Sequence, residues 1–317
     1  MLRRLTLLLF FLSIINAQIA LPTFQAVHKP HSTASSTGTV TFTNCGATGK
    51  NGPTQDQVNS TYTSGNSLYN AVTINTQGIQ EWTVPTSDSF TITVRGASGN
   101  RHSTSTTNKF GTGAKMIGTI SLNANEVLSI LVGQLGSTNL NEWCGAGGGG
   151  GSFVVKKSGN TELIVAAGGS GGDGSGHNSE PRPKPGGSSD TGDPTQAGQC
   201  NSPYASGAGG GFTYNGEDRY TSVDGAFSFV NGGVGGTCNY GYKVAHGGFG
   251  GGGAGDYYTM GGAGGGYEGG SSIGGYNTNY GLTAAKSYNS GSNKTNTDGE
   301  NETASDSLMH GYVIITW

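Results

Sequence analysis

The chain has 317 residues, 61 of them glycine, with 11% charged residues and a formal net charge of −3. So weak a charge gives no electrostatic case for nucleic acid or for an anionic membrane surface, and it separates the chain from polyelectrolyte disorder. The length suits one or two domains.

Residues 1–17 read as a secretory signal peptide. Arg3 and Arg4 supply a positive start, Leu5 to Ile15 a short apolar run, and Asn16-Ala17 a small-residue cleavage site before Gln18. A membrane anchor needs about 20 apolar residues, more than this run supplies, and no later segment is apolar enough to span a bilayer. The mature chain is therefore expected to be extracellular. Residues 18–39 form a polar leader without periodicity.

From Val40 the texture changes to short β-type runs. Val40 to Thr43, Val72 to Ile74 and Ile79 to Val84 come first, the last stopped by Pro85. Ser89 to Val94 alternates strictly, with Phe90, Ile92 and Val94 on one face, as a half-buried strand requires. Lys115 to Leu122, Glu126 to Val132, Phe153 to Val155 and Leu163 to Ala166 follow, separated by turn signals such as Ser158-Gly159-Asn160, and Tyr312 to Trp317 closes the chain. No stretch shows a 3.6-residue apolar period. Many short strands with turns between them predict an all-β, antiparallel sandwich. The isolated last strand implies that residues 168–304 are an insertion and that the sandwich is built from 40–167 and 305–317.

The insertion is a glycine field, and a first glycine run stands ahead of it at Trp143 to Ser152 (W-C-G-A-G-G-G-G-G-S). Glycine loses the most entropy on ordering, so a helix or ordinary sheet is disfavoured there. Extended polyproline-II segments leave their N–H and C=O groups free to pair with neighbours, and glycine lets backbones approach closely, as in collagen. The strict collagen triplet is absent. A different packing of extended segments is expected, with Phe249, Tyr257, Tyr258 and Tyr267 capping it or packing on the sandwich.

Familiar chemical motifs fail on inspection. Gly147 to Gly151 before a strand-like run mimics a nucleotide loop, but no Walker A or kinase motif occurs. Gly168 to Asp173 resembles one calcium-binding nonapeptide, yet such sites need tandem copies and a large apolar residue where Ser175 stands. No Ser-His-Asp arrangement is supported by spacing, so no catalytic residues, cofactor or metal site are expected. The chain has four cysteines, Cys45, Cys144, Cys200 and Cys238, with no C-x-x-C pair. In an oxidising compartment four cysteines suggest two disulfides in any of three connectivities. Sequons at Asn59, Asn293 and Asn301 are candidate glycosylation sites.

The string Phe42 to Gly49 (F-T-N-C-G-A-T-G) followed by Gly52 to Gln57 (G-P-T-Q-D-Q) is long and specific. With Gln80 to Pro85, Ile130 to Gln134, Glu142-Trp143 and its glycine run, Ile164 to Gly169, Gly247 to Gly253, Gly264 to Tyr267 and His310-Gly311, all in order from about Val40 to Trp317, it closely resembles the glycine-rich extracellular region of the anaplastic lymphoma kinase and leukocyte tyrosine kinase receptors. The resemblance implies a TNF-like β-sandwich carrying an inserted bundle of polyproline-II glycine helices. It implies binding of a small secreted helical cytokine and pairing of two receptor copies, with the tyrosine kinase outside this chain. Two family cysteine places are occupied here by Val58 and Asp256. On that comparison Cys200 is expected to pair with Cys238, a loop worth about 3–4 kcal/mol if unstrained, while Cys45 and Cys144 pair or stay free. The family's ligand-holding carboxylates fall at Leu308 and Tyr312, with Glu300, Glu302 and Asp306 nearby, so Tyr312, Glu302 and Asp306 are the expected ligand contacts.

The leading expectation is thus an extracellular ligand-binding module with a protein partner and a homodimer on ligand binding, present as a fragment or a secreted form. The alternative is a glycine- and tyrosine-rich matrix or eggshell protein, in which Tyr267, Tyr276 and Tyr280 would be crosslinking sites.

Overall fold

A computed structural model describes residues 37–101, 109–138, 145–173, 183–201, 205–219, 222–238, 245–256, 260–273, 281–302 and 309–317. The signal segment and leader, Trp143 and Cys144, Tyr257 and Tyr258, Tyr276 and Tyr280, and Asp306 and Leu308 lie outside the described residues. Residues from Thr37 to Trp317 belong to one compact unit.

Each run read as a strand forms one. In chain order the elements are β1 (Thr39–Phe42), α1 (Gln55–Thr61), β2 (Val72–Thr76), β3 (Ile79–Thr83), β4 (Asp88–Arg95), β5 (Phe110–Gly111), β6 (Lys115–Leu122), β7 (Val127–Leu131), β8 (Ser152–Lys156), β9 (Thr161–Ala166), β10 (Ser272–Ile273), β11 (Gly281–Leu282), β12 (Tyr288–Asn289), β13 (Ser292–Thr297), β14 (Asn301–Glu302) and β15 (Tyr312–Thr316). One sheet runs β1-β15-β4-β6-β13 and the other β12-β9-β8-β7-β3-β2, antiparallel throughout. Two short pairs, β10-β11 and β14-β5, stand apart.

The two large sheets share a core. Phe90, Ile92 and Val94 of β4, Met116 of β6, and Val313 and Ile315 of β15 meet Trp82, Leu128, Ile130, Val154 and Ile164 from the second sheet. The alternation read in Ser89 to Val94 is thus the buried face of β4, whose partners along β15 are antiparallel from Tyr312↔Arg95 to Thr316↔Thr91. The second sheet is buried on both faces. Leu131, Phe153, Val155 and Val165 point away from the shared core into another cluster with Phe212, Phe229, Phe249 and Tyr267. That is why its strands read as unbroken apolar runs rather than alternating ones.

Between and beyond the sheets the glycine segments form a main-chain network, and its centre is the run beginning at Gly145. Gly145, Gly148 and Gly151 donate to the carbonyls of Asp256, Gly253 and Gly250; Ala146 and Gly149 to Gly172 and Gly169; Gly147 and Gly150 to Ser137 and Gln134, all at 2.8–3.0 Å. Successive amides therefore turn to three neighbours in rotation and return to the first every three residues. A β-strand alternates between two neighbours and cannot do this. The carbonyls of the same run accept from Ala97, Asn100, Gly248, Gly262 and Gly265, so one extended segment is bonded to six others. Gly148 shows why glycine is required: a methyl group there would overlap the carbonyl oxygen of Ala263.

This network corrects the expected division into sandwich and insertion. Ala97–Asn100, Gly133–Ser137, Gly145–Gly151 and Ala167–Gly172 are continuations of β4, β7, β8 and β9, so the network draws on both halves of the chain. The return to the sheets also begins near Tyr288 rather than at residue 305, because β12 pairs with β9 and β13 with β6. The sequence of β13, S-N-K-T-N-T, has no apolar alternation because it is an exposed edge strand. The short helix α1 was likewise unmarked by periodicity. Its seven residues are set by a capping box, with Thr54 Oγ1 accepting from Gln57 N–H and Gln57 Oε1 accepting from Thr54 N–H, and it buries Val58.

Helix α1 closes one sheet edge. The side-chain amide of Gln55 donates to Val72 O at 3.1 Å and accepts from Ile74 N at 2.7 Å, as a neighbouring strand would. At the adjoining hairpin Gly78 has φ +88°, and a side chain there would also strike the buried ring of Phe249.

Candidate functional site

A short turn at residues 211–215 and a 3-10 turn at Phe229–Asn231 lie side by side on the second sheet. Four bonds lace them together. Phe229 N donates to Gly211 O and Val230 N to Phe212 O, both at 3.1 Å, while Ser228 N and Asn231 Nδ2 both donate to Asn215 Oδ1 at 2.9 Å. Beneath them runs an aromatic ladder. Phe153 of β8 stacks on Phe229 with centroids 5.1 Å apart, Phe229 on Phe212 at 5.2 Å, Phe212 meets Tyr267 at 5.9 Å, and Tyr267 stacks on Tyr288 of β12 at 4.5 Å.

The buried rings hold the backbone, and neighbouring residues in or beside the same turns face water. Tyr214 is 55% exposed, Phe227 45% and Val230 41%; among the described residues the other large apolar side chains this exposed are Tyr69 and Ile273. Aromatic side chains on a braced backbone lose little entropy on contact with a partner, which is the physical character of an interface anchor. Glu217, Asp218 and Asp224 are exposed next to this patch, where Gly216 N bonds Ala226 O and Gly225 N bonds Asp218 Oδ1. Partial burial, reinforced by the Asp218 charge, raises the Asp224 carboxyl above its ordinary range. Nothing in the sequence marks this site, since the turns carry no motif and their order depends on rings distant in the chain.

Tyr312 and Glu302, expected from the family comparison, lie on other strands. Tyr312 opens β15, half-buried, directly across from Arg95, which in turn pairs with Lys115. The outward row is thus Tyr312, Arg95, Lys115, with cations rather than carboxylates beside the tyrosine. Glu302 lies in β14 opposite Phe110, and Asp306 is outside the described residues. His310, just before β15, accepts the Leu135 N–H at Nδ1 (3.2 Å), and burial lowers its pKa.

Cys45 is buried and carries a free thiol, which donates to Thr43 O at 3.6 Å beside a polar knot of Thr43, Tyr62 and the fully buried Gln80. Burial pushes this thiol up in pKa. Cys200 is partly exposed and bridges Ser272, whereas Cys238 is buried against Val223 and Ala254. Of the sequon residues, Asn59 is exposed on α1, Asn293 is exposed on β13 and Asn301 begins β14. The run once resembling a phosphate loop has every amide from Gly147 to Gly151 bonded to a main-chain carbonyl. Asp173, of the calcium-like string, is buried and accepts the Gly261 N–H. Among the described residues no three His, Cys, Asp or Glu gather as a metal site would require, and no helix is long and apolar enough to cross a membrane. No protein-family model matches the chain.

Proposed function

We propose that this chain is an extracellular ligand-binding module of the kind found in the anaplastic lymphoma kinase and leukocyte tyrosine kinase receptors, with a TNF-like sandwich and a bundle of polyproline-II glycine segments. The three-residue rotation of amide donors from Gly145 to Gly151 supports the polyproline-II reading, because that helix has three residues per turn and no internal hydrogen bonds. The partner is a secreted protein, and its binding brings two copies of the module together.

One observation carries the binding reading: Tyr214, Phe227 and Val230 stand exposed on or beside two turns that an aromatic ladder holds in place. With Glu217, Asp218 and Asp224 alongside, a fitting partner has apolar anchors flanked by basic residues. The matrix reading is less well supported, since Tyr267 is 5% exposed and stacked on Tyr288, out of reach of a crosslinking partner.

The test compares the secreted chain with a Tyr214→Ser, Phe227→Ser double variant as baits for secreted proteins of the same source. The wild type is expected to retain a protein partner and the variant to lose about tenfold or more in affinity. Because both side chains face solvent, the two baits should melt alike. Equal capture by both, or none by the wild type, contradicts the proposal.

A further inference from the structure

Four strands bound the two large sheets, and three are covered or short. Gln55 occupies the edge of β2, Ser67 Oγ donates to Thr39 O on β1, and β12 is two residues long. The fourth is β13, six residues with no strand on its far side among the described residues. Open edges of this length invite pairing with a second chain unless something obstructs them. A lysine commonly does so, but Lys294 lies 2.8 Å from Asp190, which neutralises much of its charge.

The edge carries instead the sequon Asn293-Lys294-Thr295. Three steps along β13, from Ser292 to Thr295, oppose two along β6, from Thr119 to Ile117, so a bulge falls at Asn293 and Lys294. Asn293 takes φ +48°, a conformation asparagine tolerates, and its side chain and that of Thr295 are both exposed. A bulge alone accounts for an asparagine at this place. It does not account for a hydroxyl two residues on, in the one long uncovered edge of the two large sheets among the described residues.

We infer that Asn293 carries an N-linked glycan whose role is to block edge-to-edge pairing through β13. The amide Nδ2 of Asn293 bonds to C1 of an oligosaccharide carried on a lipid pyrophosphate. The bond from C1 to the pyrophosphate oxygen breaks, lipid pyrophosphate leaves, and the displaced amide proton goes to it. This rests on the secretory part of the proposed function, since the donor is met only in that pathway.

The experiment is glycopeptide mass spectrometry of the chain secreted from eukaryotic cells, joined to light scattering of the full chain and of two variants that lack the Asn293 acceptor alone. Thr295→Ala removes the acceptor motif and keeps Asn293; Asn293→Gly removes the sugar and keeps the positive φ. The wild type is expected to carry a glycan at Asn293 and to scatter as a monomer. Both variants should shift to dimer mass or larger at the same concentration. A bare Asn293 in a chain whose signal peptide has been cleaved overturns the inference while leaving secretion intact; a chain that keeps its signal peptide and bears no sugar at all overturns both. Glycan at Asn293 with variants that stay monomeric overturns the blocking role.

Discussion

At the residue scale, His310 shows how burial ties a single proton to stability. Its Nδ1 accepts the Leu135 N–H, so the folded chain holds the imidazole neutral, and burial keeps its pKa below the ordinary value of 6.5. His246 is arranged similarly: its Nδ1 accepts the Cys238 N–H, and burial, with the Lys50 charge second, lowers its pKa. When a folded histidine has a depressed pKa, the unfolded chain takes up the proton first as pH falls. The unfolded state then binds more protons, and stability declines as pH drops through about 6.5 toward the folded value. Urea midpoints measured at pH 7.5 and 5.5 should fall for the wild type, and His310→Gln, which keeps an acceptor but cannot titrate, should fall less. An identical drop in the variant would remove His310 from this account.

At the scale of elements, the strands were legible and the features holding their edges were not. Phe90, Ile92 and Val94 announce the buried face of β4 because a two-residue side-chain period is written directly in the sequence. Nothing comparable marks β13, whose exposed polar residues are held by main-chain pairing to β6, or α1, which is too short to display a helical period. The Gln55 amide is invisible in the sequence for the same reason: its partners, Val72 O and Ile74 N, become neighbours only once α1 docks on β2. Replacing Gln55 with alanine removes both bonds from an edge strand and should cost about 1–2 kcal/mol. Denaturant unfolding measures the loss, and faster amide exchange at Ile74 locates it. If stability is unchanged and Ile74 exchanges as before, the edge is held by something else.

At the scale of the whole molecule, the chain reads as two sheets and a glycine network joined into one structure. Ser152 illustrates the joint: its Oγ accepts from Gly133 N and donates to Arg95 O, linking the ends of β4, β7 and β8 where they leave the sheets. The sequence announced that glycine would be the packing residue. It did not announce which segments meet, because main-chain bonds carry no side-chain code, and the partners of Gly145–Gly151 come from places as far apart as Ala97 and Gly265. The binding surface was hidden for a related reason, since Tyr214 and Phe227 matter only through the buried rings of Phe212 and Phe229 beneath them. The expected ligand contact Tyr312 lies across from Arg95 on β4, a neighbour that only the strand pairing reveals.

The ordered glycine network is the claim on which the rest depends, because the turns bearing Tyr214 and Phe227 are tied into it. Amide hydrogen exchange across Gly145 to Gly151 tests it most directly. Every one of these seven consecutive amides belongs to a buried residue and donates to a main-chain carbonyl, six of them on buried residues and one on the half-buried Ser137, so all seven are expected to exchange only through global unfolding. Exchange at the rate of an unstructured glycine peptide, or protection of alternate amides alone as in an edge strand, would contradict the account.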